Sequence, residues 1–297
     1  MTAMPSAETF AFRAESMDPV AVKRCFDAHG IVILKSLLDS DFIADIRHAI
    51  ESLVGARLHS LGLSGGAEDL DGQLGALLAA DQHYAMEIIT VLKDSPEYYR
   101  AFTNEAIIKS VKTLLATDTL QCIHDISQFR IDPPNFDVRN FAWHQDYQYN
   151  VASQNAVTAW FPITPIGEDM GFLAVAPGTH RQMLKVIEDR SSHLQGRGTT
   201  HSTLRFDVDA GALERRAVLL DNVRPRDVVF FHSLLLHRSG WNRSQRARFV
   251  MNPRYADALD PAVVARGWVA MRDRTQDAFA RYYPDMILTA SKSDTEN

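Results

Sequence analysis

The sequence predicts a mainly β fold with flanking α-helices, on two observations. Between residues 119 and 255, many short strand-like segments are separated by turn residues such as Pro133-Pro134 and Pro177-Gly178-Thr179. This pattern is typical of an antiparallel sandwich or barrel. Before residue 115, apolar residues instead recur at helical spacing. We therefore expect a double-stranded β-helix, a cupin-like jelly roll, buttressed by N-terminal helices.

The first 115 residues are predicted to be mostly helical. Asp18 suits the N-cap of a helix, Pro19 suits its first position, and Gly30 suits its C-terminal end. The other elements predicted here are a strand over residues 31–34, helices that begin at Ser40-Asp41 and that cover residues 83–92 and 96–115, and a glycine-rich loop over residues 62–75.

The rest of the chain is predicted as short strands followed by one helix. Residues 120–130 alternate with period two, so that Cys122, His124 and Gln128 would share one face. The helix is expected over residues 273–283, and a polar, disordered tail over residues 291–297. The remaining predicted strands cover residues 141–146, 155–163, 171–176, 203–208, 218–219, 227–231, 235–237 and 246–254.

These elements predict a single domain over residues 1–297. We expect a helical layer at about residues 18–115, a jelly-roll core at about residues 119–255, and a C-terminal helix and tail over residues 256–297. With 46% hydrophobic residues, a chain of 297 residues can bury a core of this size.

Composition and charge favour some partners over others. The net charge is −6 and there is no basic block, which argues against a nucleic-acid partner. No apolar run approaches about 18 residues and no signal-peptide pattern is present, so we expect no membrane association. Cys25 and Cys122 form no motif, which fits a reducing cytoplasm. The expected partner is a small-molecule substrate, and the oligomeric state stays open.

A histidine and a carboxylate two residues apart form the candidate metal motif. On an extended strand His144 and Asp146 would point to one face, where both can hold one ion. One further histidine would complete a two-histidine, one-carboxylate site, which leaves coordination positions open and suits Fe(II). His232 and His237 are both candidates. They are five residues apart and would face opposite sides of a regular strand, so the residues alone do not choose between them.

Three segments resemble a known family. His144-Gln-Asp146, then His237-Arg-Ser239-Gly, then Arg248 eleven residues after His237 resemble the phytanoyl-CoA dioxygenase family of Fe(II)/2-oxoglutarate oxygenases. One family segment contains two histidines, of which the second is the metal ligand. It is similar to the segment Val229-Phe-Phe-His-Ser-Leu-Leu-Leu-His237. Residues 160–163 and 171–180 match further family stretches. The resemblance covers roughly residues 120–255, with a looser match at residues 30–40.

The resemblance implies a role for each candidate residue. It selects His237 as the third ligand beside His144 and Asp146, with His232 in a packing role. Arg248 would bind the distal carboxylate of 2-oxoglutarate through its planar fork, with Arg246 as the rival. Ser239 would contact the same carboxylate, Gln128 would contact the 1-carboxylate, and Trp160 would form an aromatic wall of the pocket. The alternatives are ordinary strand packing for Ser239 and Trp160 and a surface amide for Gln128.

The implied reaction uses Fe(II), 2-oxoglutarate and O2 to hydroxylate an unactivated C–H bond of a small, polar metabolite, with release of succinate and CO2. Asp146 argues against halogenation, because halogenases of this kind lack that carboxylate. The alternatives are desaturation or cyclisation at the same iron in natural-product biosynthesis, a metal-dependent cupin enzyme that does not use 2-oxoglutarate, and a jelly-roll binding protein without turnover.

A few other residues could border the substrate. The loop over residues 147–150 is expected at the mouth of the site. His124 is either structural or near the substrate, and His180 is expected in a loop. Three arginines could meet an anionic group, namely Arg130, Arg190 and Arg197.

Overall fold

The computed structural model describes residues 5–63, 69–81, 83–124, 127–135, 141–189, 203–268 and 277–288. Within these ranges, each helix is too short or too polar to cross a bilayer. The helices are α1 (Pro19–His29), α2 (Ser40–Ser60), α3 (Leu70–Ala80), α4 (Tyr84–Lys93), α5 (Pro96–Thr103), α6 (Glu105–Leu115), α7 (Ala210–Arg216), α8 (Pro261–Ala265) and α9 (Asp277–Tyr282).

The strands are mostly short, as the sequence predicts. They are β1 (Ala11–Arg13), β2 (Ile31–Lys35), β3 (Leu120–Cys122), β4 (Gln128–Asp132), β5 (Ala156–Pro162), β6 (Ala174–Val175), β7 (Val186–Asp189), β8 (Thr203–Phe206), β9 (Val218–Leu219), β10 (Val228–His232), β11 (His237–Arg238), β12 (Arg248–Asn252), β13 (Arg254–Asp257) and β14 (Ile287–Leu288).

The strands form one large sheet and two small ones. The large sheet has the order β1-β2-β10-β5-β12-β4, and β13 pairs with β5 and with β3. The second sheet has the order β11-β6-β9, and the third has the order β14-β7-β8. Apart from β1 with β2 and β14 with β7, which are parallel, the pairings in all three sheets are antiparallel.

Alternation along the central strands separates two hydrophobic cores. Phe230 lies opposite Val32 and Ala159, and all three pack with the N-terminal helices. Its neighbour Val229 lies opposite Ile33 and Trp160 on the other face, where they pack against residues of the second sheet. One face of the large sheet is therefore covered by helices, and the other faces the interior between the sheets.

The predicted boundaries of α1 are confirmed by its caps. The side chain of Asp18 accepts a hydrogen bond from the Val20 amide at 3.0 Å, and Pro19 occupies the first turn. Gly30 ends the helix with a φ of 74°, a left-handed conformation that glycine adopts without a steric cost. The strand predicted next in the chain is β2.

Several predicted elements differ from the structure. The loop expected over residues 62–75 was wrong in its second part, because α3 begins at Leu70 with Asp69 as a side-chain cap. The helix expected over residues 96–115 is two helices, since Asn104 caps α6 at the break. The strand expected over residues 120–130 is interrupted after β3, where Ser127 turns back to bond the carbonyl of Ile123. The strand expected over residues 246–254 is divided into β12 and β13.

The C-terminal predictions are only partly within the described structure. The helix expected over residues 273–283 corresponds to α9, whose described part begins at Asp277. The tail over residues 291–297 lies outside the described residues. The division of the chain into a helical layer, a core and a C-terminal segment stays a prediction.

Replacing Gly30 with alanine should destabilise the fold. A Cβ atom at Gly30 would lie 2.6 Å from both Cγ and Nδ1 of His180, and the positive φ disfavours a side chain in any case. We expect the free energy of unfolding to fall by about 1–3 kcal/mol in urea titrations. The matched control is Gly55→Ala in α2, where a Cβ meets no atom within 4 Å and alanine should instead add up to about 1 kcal/mol. Equal effects at the two positions would contradict the close packing at Gly30.

Candidate metal centre

His144 and His237 are brought together by an isolated backbone pairing. The amide of each residue donates to the carbonyl oxygen of the other at 3.0 Å, and the pairing does not extend into a longer ladder. Residues directly opposite each other in an antiparallel pair place their side chains together. The two imidazole rings accordingly lie with their centroids 4.1 Å apart, and both side chains are buried.

Asp146 also lies beside the two histidines, but it is not on an extended strand as the sequence predicts. The strand expected over residues 141–146 is absent, and Asp146 has helical dihedral angles at the start of a short 3-10 turn, Tyr147–Tyr149. The two-residue spacing on an extended strand was therefore the wrong explanation for the convergence. The turn directs the carboxylate back toward the histidines, so that Oδ1 of Asp146 lies 3.7 Å from Nε2 of His144 and 3.8 Å from Nε2 of His237.

The three side chains each offer one ligand atom to a common point. One atom from each of His144, Asp146 and His237 lies within 4.8 Å of the others, and no other such group of histidine, cysteine or acidic residues occurs in the described ranges. His232, the alternative third ligand, lies apart from this group. Two imidazoles and one carboxylate form a donor set that suits a divalent first-row metal.

The hydrogen bonds of the two imidazoles leave Nε2 available. Nδ1 of His144 lies 2.8 Å from the carbonyl oxygen of Ala142, and Nδ1 of His237 lies 2.9 Å from that of Leu235. A carbonyl oxygen only accepts, so each Nδ1 bears the proton and each Nε2 presents its lone pair. Both rings are thus held in the tautomer and orientation that metal binding requires.

The protonation states also suit a metal site. Burial, together with the neighbouring His237, lowers the pKa of His144 to about 3, and burial lowers the pKa of His237. Both are therefore neutral at neutral pH. Burial disfavours the ionised form of Asp146, but the positive charge of Arg254 outweighs this and holds the pKa of the carboxyl below its usual range. The site presents two neutral imidazoles and one carboxylate anion.

Two side chains of the large sheet bind the Asp146 carboxylate. Arg254 donates from Nε to Oδ2 at 2.9 Å and from Nη2 to Oδ1 at 3.1 Å. The Thr158 hydroxyl donates to Oδ2 at 2.8 Å. Thr158 in β5 and Arg254 in β13 are direct cross-strand partners, so both side chains leave the same face of the sheet.

The carboxylate of Glu214 in α7 accepts hydrogen bonds from the residues next to the two histidines. Glu214 accepts from Nε1 of Trp143 at 2.9 Å, and from Nε and Nη2 of Arg238 at 2.6 and 2.8 Å. Trp143 precedes His144 and Arg238 follows His237 in the chain. The same acidic group therefore fixes both segments that present the imidazoles.

Arg248, the predicted anchor of the co-substrate, is buried and already bonded. It donates from Nε and Nη2 to Oδ2 of Asp132 at 3.2 and 2.9 Å, and from Nη1 to the carbonyl oxygens of Met170 and Gly171. These bonds use four of its five N–H groups. The rival Arg246 precedes β12, is exposed, and contacts Sδ of Met170 at 3.5 Å. Of the two arginines, Arg248 is the one that lies in the interior.

Arg130 lies on the other side of the same carboxylate. Its Nε and Nη2 donate to Oδ1 of Asp132 at 3.2 and 2.9 Å, and its Nη1 lies 3.5 Å from the hydroxyl of Ser239. Asp132 is thus shared by two arginines. Burial opposes its ionisation, but Arg130 and Arg248 hold the pKa of Asp132 below its usual range.

Gln128 and Trp160 also lie on the interior face of the large sheet. Gln128 begins β4 opposite Asn252, whose side-chain oxygen accepts from the Gln128 amide at 2.7 Å. Trp160 is buried in the core between the sheets, beside Val229. Gln128 is half-buried, which fits neither a fully solvated amide nor a core residue.

Three other histidines lie away from the metal centre, namely His232, His180 and His124. His232 accepts at Nδ1 from the Leu234 amide at 3.1 Å, and its ring lies 5.4 Å from that of His180 and 6.0 Å from that of Phe26. His124 stacks on Tyr99 of α5 with a centroid distance of 5.1 Å. His124 is therefore on the helical side of the sheet, and the structure does not support a contact with substrate.

Two tyrosines of the loop after Asp146 contact different parts of the structure. The Tyr149 ring lies 5.9 Å from that of His144, whereas the Tyr147 hydroxyl points away and bonds the hydroxyl of Tyr283 at 2.7 Å. Of these two tyrosines, Tyr149 is the one that borders the metal centre. Arg190 and Arg197 lie outside the described residues.

Comparison with known proteins identifies the family. The family model for phytanoyl-CoA dioxygenase (PhyH) matches residues 26–250, about three quarters of the chain. The chain belongs to the phytanoyl-CoA dioxygenase family. It is 24% identical over 238 residues to the peroxisomal phytanoyl-CoA dioxygenase of Bos taurus, a match that covers 80% of this chain and 68% of that protein. It is 25% identical over 264 residues to 1-deoxypentalenic acid 11-beta-hydroxylase of Streptomyces exfoliatus, covering 86% and 85%.

A solved structure supports the predicted fold class. The epimerase SnoN, solved in complex with Fe3+, alpha ketoglutarate and nogalamycin RO, is similar with a TM-score of 0.53 and 18% identity, over 81% of this chain and 85% of that one. The jelly-roll class with flanking helices is confirmed for this member of the phytanoyl-CoA dioxygenase family. In the described part of the chain its strands form open sheets and do not close into a barrel.

Sequence reasoning missed three residues of this family member's site. Asp132 lies two residues from Arg130, Thr158 lies two residues from Trp160, and Arg254 lies within the segment predicted as one strand with Arg248. In each case the period of a strand places the missed residue on the face already assigned to the site. Applying that period to the candidates themselves would have found all three, since Arg254 follows Arg248 by six residues within the predicted strand.

The pH dependence of stability should reveal the neutral state of His232. Burial, and then His180, lower its pKa in the folded chain to about 4, whereas an unfolded histidine titrates near 6.5. As pH falls through this window the unfolded state binds the extra proton, so the stabilisation present above the unfolded pKa is lost. Between about pH 7.5 and about pH 5.5, urea titrations should show wild type losing roughly 1 kcal/mol more than His232→Gln. Equal losses would mean that His232 is protonated in the folded protein.

Proposed function

We propose that the chain is an Fe(II)- and 2-oxoglutarate-dependent dioxygenase that hydroxylates an unactivated C–H bond of a small, polar metabolite, releasing succinate and CO2. One observation carries the proposal. His144, Asp146 and His237 turn one ligand atom each toward a common point, in the protonation states that a metal requires. Membership of the phytanoyl-CoA dioxygenase family supports the co-substrate.

The protein's part in the reaction is to hold and orient. Nε2 of His144, Oδ1 of Asp146 and Nε2 of His237 would hold Fe(II). The metal, when bound, would supply the centre at which O2 oxidises 2-oxoglutarate and the substrate together. Three ligands from one side leave the other positions open, as this chemistry needs. No side chain has to act as a general acid or base, so the geometry and dryness of the interior are what the chain contributes.

The proposed binding site for the distal carboxylate of 2-oxoglutarate consists of Arg248, Arg130 and Ser239. The two arginines are already oriented by Asp132, and Ser239 lies beside Arg130. A second carboxylate placed against Ser239 would meet guanidinium groups whose geometry is fixed before it arrives. We propose that Gln128 contacts the 1-carboxylate and that Trp160 forms a wall of the pocket. Both residues lie on the interior face of the large sheet.

Asp146 bears on the type of reaction. Its carboxylate takes the metal position that a chloride ion would need, so we propose oxygen insertion and not halogenation. A polar interior face, built from Gln128, Asp132 and Thr158 among others, fits a small polar substrate better than a long acyl chain. Activity in a reducing cytoplasm remains part of the proposal and rests on the two free thiols, Cys25 and Cys122.

Succinate formation tests the function directly. With Fe(II), 2-oxoglutarate and a panel of polar metabolites, the wild-type protein should form succinate, and the product of the true substrate should gain one atom from labelled oxygen gas. His237→Ala should lose both succinate formation and stoichiometric metal, because it removes a ligand. His232→Ala, matched in residue type and only five positions away, should keep both.

Three outcomes would contradict parts of the proposal. Metal loss from His232→Ala with retention in His237→Ala would transfer the third ligand to His232. A product two hydrogens lighter with no oxygen gained would show desaturation or ring closure at the same metal. Turnover that ignores 2-oxoglutarate would instead indicate a cupin enzyme of another class.

Removal of Arg248 should weaken co-substrate binding. A charge-assisted hydrogen bond contributes about 1.5–3 kcal/mol, so Arg248→Ala should raise the dissociation constant of 2-oxoglutarate by roughly one to two orders of magnitude. Calorimetry on the metal-loaded protein measures this constant. Arg246→Ala is the control, since Arg246 is exposed, and it should bind as wild type does. A loss confined to Arg246→Ala would assign the anchor to that residue.

A further inference from the structure

The two oxygens of Asp146 have different surroundings. Oδ1 faces the imidazoles of His144 and His237 at 3.7 and 3.8 Å. Oδ2 accepts from the Thr158 hydroxyl at 2.8 Å and from Nε of Arg254 at 2.9 Å, whereas Oδ1 accepts from Nη2 of Arg254 at 3.1 Å. Oδ1 is thus turned toward the metal centre with Arg254 beside it, and Oδ2 is bound by both Thr158 and Arg254.

Both donors are fixed by regular structure. Thr158 and Arg254 are cross-strand partners in β5 and β13, and the Arg254 amide donates to the hydroxyl of Ser127 at 2.8 Å. Thr158 is only 1% exposed and Asp146 only 5% exposed, so solvent does not compete for these bonds. A carboxylate bound on rigid strands keeps its orientation whether or not a metal is present.

The way Asp146 binds a metal decides how many coordination positions remain. A carboxylate can use one oxygen or both. With one oxygen, the triad fills three positions of an octahedral metal and leaves three, enough for two atoms of 2-oxoglutarate and for O2. With both oxygens, the triad fills four positions, and none is left for O2 once 2-oxoglutarate is bound.

Resting on the proposed function, we infer that Arg254 and Thr158 are positioning residues that restrict Asp146 to one-oxygen ligation and so keep the O2 position open. To bind through both oxygens, the carboxylate would have to withdraw Oδ2 from both donors. Arg254 is the main restraint, because its planar fork contacts both oxygens and bears a charge. Thr158 adds a neutral bond to Oδ2 alone.

The test uses nitric oxide, which takes the same open position on Fe(II) as O2 and gives a paramagnetic adduct. In Arg254→Gln, Fe(II) and 2-oxoglutarate should still bind, with the dissociation constant of 2-oxoglutarate within about threefold of wild type. The affinity for nitric oxide should fall at least about tenfold. A crystal structure of the Co(II)-loaded variant should show both oxygens of Asp146 on the metal, against one in wild type.

Three further variants separate positioning from general damage. Arg254→Lys keeps the charge without the fork and should recover part of the nitric oxide affinity, and Thr158→Val should lose less than Arg254→Gln. Arg100→Gln is the control. It removes an arginine of α5 that pairs with the carboxylate of Asp45 in α2 and contacts neither Asp146 nor the segments that carry the histidines, so nitric oxide should bind as in wild type.

The inference is overturned if Arg254→Gln binds nitric oxide as wild type does with Asp146 on the metal through one oxygen. It is also overturned if folded Arg254→Gln no longer binds Fe(II) or Co(II), since Arg254 would then be needed for ligation itself. Failure of the proposed function is a separate result. Wild type would then hold Co(II) on the triad but bind no 2-oxoglutarate, and the Co(II) structures alone would still decide how Asp146 binds.

Discussion

The alternation of side chains between the two faces of the large sheet determines where the rest of the molecule lies. Residues such as Phe230 and Phe161 face the helices, and their neighbours Val229 and Trp160 face the second sheet. Because the face toward the helices is mainly apolar, the helices cover it chiefly through apolar contacts, with a few polar ones such as those of the Tyr255 hydroxyl to the carbonyl oxygens of Ala101 and Phe102. The polar side chains of the large sheet that the proposed chemistry uses lie on the opposite face, in the interior, where Thr158 and Arg254 meet Asp146.

That interior face holds charges that would be costly to bury singly. The structure meets this cost by pairing. Asp132 lies between Arg130 and Arg248, and Asp146 lies against Arg254. The pairing also orients each group, since a bidentate or shared carboxylate fixes the planes of the guanidinium groups. Stability and preorganisation of the site thus depend on the same hydrogen bonds.

The fold class could be predicted from the sequence because turn residues and short alternating segments are local signals. The ligand set was harder. The chain leaves β10 at His232 and turns before β11 begins at His237, so strand alternation could not choose between the two histidines. Asp146 reaches the two histidines because it starts a 3-10 turn, and its residue type does not predict that turn. The pairing of Arg248 with Asp132 depends on the register of β12 and β4, which separate segments of sequence do not specify.

The one-pair bridge between His144 and His237 joins two parts of the chain that are far apart in sequence. Two backbone hydrogen bonds are a weak connection by themselves. An ion on the same two residues would make a far stronger cross-link, and only the folded chain can offer it all three ligands. Free metal then acts on the folding equilibrium by mass action, and the resistance of the chain to unfolding becomes a function of metal concentration. In a cell, the supply of metal would set the lifetime of this protein as well as its competence.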